Sequence, residues 1–213
     1  MIGVIFFHKN IEKIYRKEWI DKCIDSILNQ TYNGKVSYYE IDYSGRNNQL
    51  VPNSIFYNLE LNNHAEAMNF IIDRAFNDGC EYVFNTNMDD YYHLDRIKLQ
   101  MYEFEKGFDI VSSDFKYIDE NDNLMFKMDI LNYPITKHFG DEINSLLFNH
   151  NTVAHPCVAF NKKFWETNKY NPDEIPVEDL NLWKRAIKNN FKIKIMPDVL
   201  LFYRRHESQI TKN

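Results

Sequence analysis

The spacing of apolar residues constrains this chain most. Through its first hundred or so positions, short consecutive apolar runs alternate with stretches where apolar residues return every three or four places. Buried runs separated by amphipathic helices build a sheet with helices packed on its faces, the α/β class. Val4 to Phe7 reads as a first strand. Trp19, Ile20, Cys23, Ile24, Ile27 and Leu28 then mark one face of a helix that ends near Tyr32-Asn33-Gly34. Ser37 to Ile41 reads as a second strand, closed by Ser44-Gly45. A second helix carries Ala67, Met68, Ile71, Ile72, Ala75 and Phe76 and stops at Asn77-Asp78-Gly79. Glu81 to Phe84 is a third strand, and Ile97 to Phe104 a third helix.

Beyond Ile110 the alternation weakens. Ile110 to Ile118 and Leu124 to Met128 flank Asp119-Glu120-Asn121-Asp122-Asn123, which predicts a hairpin turn. A helix near Glu142 to Phe148, a strand around Cys157 to Phe160 and a helix through Leu180 to Ile187 follow. Phe191 to Ile195 and Val199 to Tyr203 are expected as two closing strands. No repeat, linker or low-complexity tract interrupts the 213 residues, so one domain is expected.

Composition removes several function classes. A net charge of -6 and a pI near 5.6 provide no basic footprint for nucleic acid. Cys23, Cys80 and Cys157 are far apart and odd in number, which fits reduced, buried thiols better than disulfides or a zinc site. No apolar run approaches a transmembrane span, and the apolar stretch from Met1 to Phe7 is too short for a signal sequence. The expectation is a soluble, cytoplasmic protein. Six scattered glycines form no dinucleotide fingerprint or phosphate loop, and neither GxSxG nor HExxH occurs. His150, His155 and Cys157 lack a fourth metal ligand, and Pro156 makes their segment extended.

Chemistry gathers at Asn87-Met88-Asp89-Asp90, directly after the third strand. In α/β sheets, ligands bind beyond the carboxyl ends of strands. Two carboxylates held close together there are costly unless a cation lies between them. A divalent ion with a diphosphate satisfies this requirement, and so does an Asx turn or helix N-cap leading into the next helix. Glu178-Asp179 likewise reads either as functional or as acidic residues in a first helical turn.

Asp89-Asp90-Tyr91-Tyr92-His93-Leu94-Asp95-Arg96, with Gln100 after it, resembles the acidic-motif stretch of family 2 glycosyltransferases with the GT-A fold. Asn87 stands where that motif carries its first Asp. Val4 to Asn10 is similar to the family's opening strand, and Asp25-Ser26-Ile27-Leu28-Asn29-Gln30-Thr31-Tyr32 to its first helix end. Ile41-Asp42-Tyr43-Ser44-Gly45 resembles the segment after the second strand, and Ala67-Met68-Asn69 the following helix element without its Arg. Val177 to Arg185 and Pro197 to Ile210 resemble the two C-terminal elements.

The resemblance implies a single Rossmann-like domain, 1–213, with a mixed, mainly parallel central sheet. Its nucleotide-binding half would span about 1–100 and its acceptor half about 101–213. It implies Mn²⁺ or Mg²⁺ held by Asp89 and His206, with Asp179 as catalytic base. Phe6, His8, Asp42, Asn69, Asn87, Met88, Arg204 and Arg205 would surround a nucleotide-sugar donor, by family habit a UDP-hexose. A hydroxyl of a glycan or glycoprotein would be the acceptor, attacking the donor's anomeric carbon in a single inverting displacement that releases the nucleoside diphosphate. The pattern also resembles the glycosyltransferase modules of large algal-virus proteins that decorate a capsid protein, which would make this chain one module of a longer polypeptide. Two other readings stay open. Asn87 and the missing Arg before Asn69 suit a silent sugar-nucleotide-binding module. A sugar nucleotidyltransferase would want a Gly-rich basic loop, whereas Phe7-His8-Lys9-Asn10 has one Lys and no Gly.

Overall fold

A computed structural model describes residues 1–126, 151 and 153–209. The apolar run at the start forms β1 (Ile2–His8), and the amphipathic segment after it forms α1 (Lys17–Leu28). Then come β2 (Val36–Asp42), β3 (Ile55–Asn58), α2 (His64–Asn77) and β4 (Tyr82–Asn85). β5 (Tyr91–Tyr92), α3 (Arg96–Glu105) and β6 (Ile110–Ile118) complete the portion up to the acidic hairpin turn. β7 (Ala159–Asn161), α4 (Lys162–Thr167), α5 (Glu178–Lys188) and β8 (Ile193–Arg204) close the described chain.

The eight strands form one sheet in the order β3-β2-β1-β4-β7-β6-β8-β5. β1 is parallel to β2 and β4, and β2 to β3. β7 is antiparallel to both β4 and β6, which returns β6 to the direction of β4, and β8 is parallel to β6. Six strands therefore run one way, with β5 and β7 reversed. The mixed, mainly parallel sheet matches the sequence expectation. Its consequence is functional: His8, Asp42, Asn85, Ile118 and Arg204 all end their strands at one edge of the sheet.

Alternation along β1 shows how the two faces fill. Ile5 packs with Met68, Ile71 and Ile72 of α2 and Leu182, Trp183 and Ala186 of α5. Val4 and Phe6 face the other way, onto Ile20, Cys23, Ile24 and Ile27 of α1 and Ile97 and Phe104 of α3. Burial of this kind is worth roughly 25 cal/mol per Å² of apolar surface. Asn63 caps α2 by accepting the Glu66 amide at 3.0 Å, and Gly79, at φ 90°, supplies the left-handed residue just beyond its end.

Several expectations shift. The two closing strands are one, β8, with Pro197 and Asp198 bulged out where the register to β6 slips at Ser113 and Asp114. Proline cannot donate to a ladder, so the bulge falls there. Cys157 ends a short 3-10 turn, and the strand begins at Ala159. The acidic turn forms: Asp119 accepts the amides of Asn121 and Asn123, and Ile118 bridges to Leu124. The end of its second strand near Met128 and the helix near Glu142 to Phe148 lie outside the described residues. No helix among the described residues is long and apolar enough to cross a membrane.

Candidate functional site

A cleft of about 730 Å³ opens beside the strand ends, within the range usual for small-molecule sites. His8, Asn87, Met88, Asp89 and Asp179 line it, five of the residues expected from the sequence.

One corner of the site is built on the turn after β4. Asp89 Oδ2 lies 3.0 Å from His206 Nε2, although 117 positions separate the two. Both side chains are nearly sealed, at 10% and 2% exposure. The imidazole sits between Tyr15 and Trp19, with ring centroids 5.3 and 5.1 Å away. Behind them Arg204 is wholly buried and ties the turn down with its backbone and its whole guanidinium. Its amide donates to Asp90 Oδ1 at 2.8 Å, its Nε to the Asp89 carbonyl at 2.8 Å and its Nη1 to the Asp119 carbonyl at 2.9 Å. Its Nη2 pairs with Asp122 at 2.6 Å. Burial first, and the neighbouring Asp89 charge second, push the Asp90 carboxyl well above its usual range.

The rest of the acidic motif is scaffold. Arg96 Nη2 donates to the Asn85 carbonyl at 2.7 Å and its Nε to Gln100 at 3.0 Å, while Gln100 holds the carbonyls of Val111 and Cys157. Tyr92 Oη receives the Asn87 amide at 2.8 Å. These bonds satisfy backbone groups where β4 ends and fix the turn's shape.

A metal can be tested against this corner. Adjacent ligands on an octahedral ion with bonds of about 2.1 Å stand about 3.0 Å apart. The Asp89–His206 separation equals that edge. Asn87 also lines the cleft, and its Oδ1 is a buried acceptor without a protein partner. One carboxylate, one imidazole and one amide oxygen form a donor set that a hard divalent ion accepts. Among the described residues no group of three or more His, Cys, Asp or Glu side chains gathers to hold a metal.

The wall at the ends of β1 and β2 rests on a residue the sequence reading missed. Glu40, fully buried, accepts the amides of Leu50 and Val51 at 2.6 and 3.0 Å and the Ser54 hydroxyl at 2.8 Å. It also meets His8 Nε2 at 3.0 Å, which fixes the imidazole at the cleft edge. Asp42 is turned to the same loop, taking the Ser44 and Asn48 amides at 2.9 and 3.0 Å. Burial would raise its pKa, but the Ser44 and Asn48 hydrogen bonds outweigh that and lower it.

The other corner is built on α5. Asp179, half-buried in the first turn, accepts the Leu180 amide at 2.6 Å and the Asn151 amide group at 2.7 Å. Beside it Glu178 meets His64 Nε2 at 2.7 Å. His155 lies half-buried nearby and bonds Tyr170 Oη at 2.9 Å; desolvation of its ring lowers its pKa while the Asp179 and Glu178 charges oppose the shift. No spacing in the sequence shows that His64 and His155, so far apart in the chain, lie at the same corner.

Besides Asp42, which does not line the cleft, four expected residues have other placements. Phe6 is a core side chain between β1 and α1. Asn69 clasps the backbone of Tyr170, donating at 2.8 Å and accepting at 3.1 Å. Arg204 acts through the turn and does not face the cleft. The Arg205 amide extends the ladder to Ile118 at 2.9 Å, and its guanidinium lies over Tyr117.

Comparison with known proteins gives the family and the fold. The family model described as "Glycosyl transferase family 2" matches residues 46–194. The chain is 27% identical over 228 aligned positions to the O-antigen biosynthesis glycosyltransferase WbnJ of Escherichia coli, covering all of this chain and 83% of that protein. It is 28% identical over 102 positions to an uncharacterized glycosyltransferase of Methanocaldococcus jannaschii, covering 48% of this chain and 33% of that one. Among solved structures, it is similar to S. aureus TarS in complex with UDP-GlcNAc, with a TM-score of 0.72 and 18% identity over 98% of this chain. It is also similar to the mannosyltransferase PcManGT of Pyrobaculum calidifontis in complex with GDP-Man and Mn²⁺, at a TM-score of 0.68 and 15% identity over 97% of this chain. The chain spans 59% and 57% of the lengths of those two structures, and at such identities they establish the fold, a GT-A arrangement.

Proposed function

This chain belongs to glycosyl transferase family 2, and on that premise we propose that it moves a hexose from a nucleoside-diphosphate sugar to a hydroxyl of a glycan or glycoprotein. What carries the reading is the 3.0 Å approach of Asp89 to His206 in a cleft that Asp179 also lines. The family's donors favour UDP, with the base and ribose lying along the His8 wall.

Asp89 and His206 would hold Mn²⁺ or Mg²⁺, with Asn87 beside them and diphosphate oxygens and water as further ligands. Such an ion, when bound, acts as a Lewis acid toward the departing diphosphate. The protein's own residues do the rest. Arg204 and Trp19 keep Asp89 and His206 in place, so little reorganisation is needed as charge develops. Asp179 accepts the proton of the acceptor hydroxyl, a general-base contribution of typically 10²–10⁴-fold. Its anchoring to Leu180 and Asn151 aims the carboxylate. Attack from the Asp179 side, opposite the leaving group, inverts the anomeric carbon. Three buried free cysteines suit a reducing compartment such as the cytoplasm. The resemblance to viral glycosylation modules makes a capsid glycoprotein one acceptor to test.

Incubation with UDP-sugars or GDP-mannose, with and without Mn²⁺, tests the proposal. Metal-dependent transfer or slow donor hydrolysis is expected. Tight binding with no turnover would reassign the chain to a sugar-nucleotide-binding module, which the Asn at position 87 would then explain.

A further inference from the structure

The turn between Ile118 and Leu124 lends no side chain to the cleft, yet it carries the counter-charge of the cation corner. Arg204 is wholly buried, and its guanidinium meets the carbonyls of Asp89 and Asp119 and one carboxylate, that of Asp122. The Asp89 carboxylate is turned to His206, and Asp90 Oδ1 takes the Arg204 amide. Asp122 therefore supplies the negative charge in direct contact with the guanidinium. Its Oδ1 lies 2.6 Å from Nη2, as an ion pair and not an aligned hydrogen bond. Its Oδ2 takes the Lys22 ammonium of α1 at 2.7 Å. Burial raises the Asp122 carboxyl, but Lys22 and Arg204 outweigh it and lower it, which keeps the group ionised at neutral pH. The backbone of the same turn grips α1, since the Glu120 carbonyl accepts Trp19 Nε1 at 3.1 Å. The Trp19 ring in turn packs on Arg204 at 4.8 Å and on His206 at 5.1 Å.

We propose that Asp122 is a positioning residue for the divalent ion: acting through Arg204, it holds Asp89 and His206 at the spacing such an ion accepts. The inference rests on the glycosyltransferase reading above. A buried guanidinium deprived of its counter-charge is costly. Arg204 relieves that cost by withdrawing from the Asp89 carbonyl toward water, or by drawing the Asp89 carboxylate onto itself. Either movement spoils the 3.0 Å approach of Asp89 to His206. Residues behind metal ligands commonly change metal affinity by about 10- to 100-fold when removed. Asp122 also sits at φ 66°, in the left-handed region that Asp, Asn and Gly enter most readily. The backbone thus admits Asn in its place, and only the charge distinguishes the two.

The test is calorimetry of UDP binding to the whole chain across a Mn²⁺ series, which separates metal affinity from metal-free UDP affinity. Asp122→Asn should weaken Mn²⁺ binding about 10-fold and leave metal-free UDP affinity as in wild type. Lys22→Met removes the exposed partner of the same carboxylate and should change Mn²⁺ affinity by no more than about 2-fold, the scale of a surface ion pair. The metal-free protein gives a second readout. The His206 ring resonances in NMR spectra should move in Asp122→Asn and stay in place in Lys22→Met. If Asp122→Asn fails to fold, Asp122→Gly, at ease at the same φ, replaces it with the same expected loss. Mn²⁺ affinity and His206 resonances unchanged in the Asp122 variant overturn the positioning role while the enzyme stands. Equal losses in Asp122→Asn and Lys22→Met also overturn it, because the turn would then act through its stability alone. If wild type binds UDP equally with and without Mn²⁺, the metal reading falls and takes the role of Asp122 with it.

Discussion

The two acidic corners of the cleft are made in opposite ways. Asp89 and His206 are sealed behind Arg204, Trp19 and Tyr15, with contributions from α1, the turn after β4, the turn after β6 and the end of β8. Asp179 is half-buried on one helix, and the side chain that steadies it belongs to the exposed Asn151. On the proposed reading, the first corner would hold charge in place as a diphosphate arrives, and the second would stay open to an acceptor of variable shape. Burial is deep at the first corner and partial at the second.

The contrast can be broken most directly at Asp89. Asp89→Ala should lower metal-dependent transfer by about 10³-fold, the upper scale for removing one electrostatic stabiliser, with the melting temperature little changed because the side chain bonds only His206. Donor binding by calorimetry with and without Mn²⁺ checks this; equal affinities in wild type and variant would move the metal elsewhere. Asp179→Asn should cost about 10²-fold or more in transfer, yet leave donor affinity and melting temperature intact. An undiminished rate would reduce Asp179 to a helix-turn residue. His206→Ala should weaken UDP binding about 10-fold with Mn²⁺ present and hardly at all without it. Loss independent of metal would mean a direct phosphate contact. The smallest effect is expected at the open corner: Asn151→Ala should change transfer by only about 2- to 5-fold, read as kcat at saturating acceptor, since one exposed hydrogen bond contributes about 1 kcal/mol or less. A loss as large as that of Asp179→Asn would show the second corner to be as tightly built as the first.

The parts of the molecule readable from the sequence are those whose signal is local. β1, α1, β2, α2, β4, α3 and β6 follow from periodicity, because each element's own apolar face declares it. β3, β5 and α4 were not legible: β3 is a partly exposed edge strand of four residues, β5 has two, and α4 is a six-residue helix. Such short pieces are set by neighbours more than by their own pattern. The Asp89 and Asp179 positions were visible as acidic residues at element ends. Glu40, His64 and His155 were not, since a lone Glu in a strand or His in a helix turn carries no spacing that betrays a distant partner. Phe6 and Asn69 illustrate the converse, where likeness to a motif indicated a neighbourhood while packing decided which way the side chain turned.

β8 carries a last consequence. The Arg204 and His206 contacts to the turn after β4 span well over a hundred positions, and every other described strand is synthesised before them. Contacts so remote in sequence form late, after the loop entropy of all intervening chain has been met. A chain that stops before residue 198 lacks Arg204 and His206, and with them the partners of Asp89 and Asp90. It also leaves β6 without its parallel neighbour beyond Ser113 and the core without Leu200 and Leu201. The corner after β4 and the last described strand therefore stand or fall together.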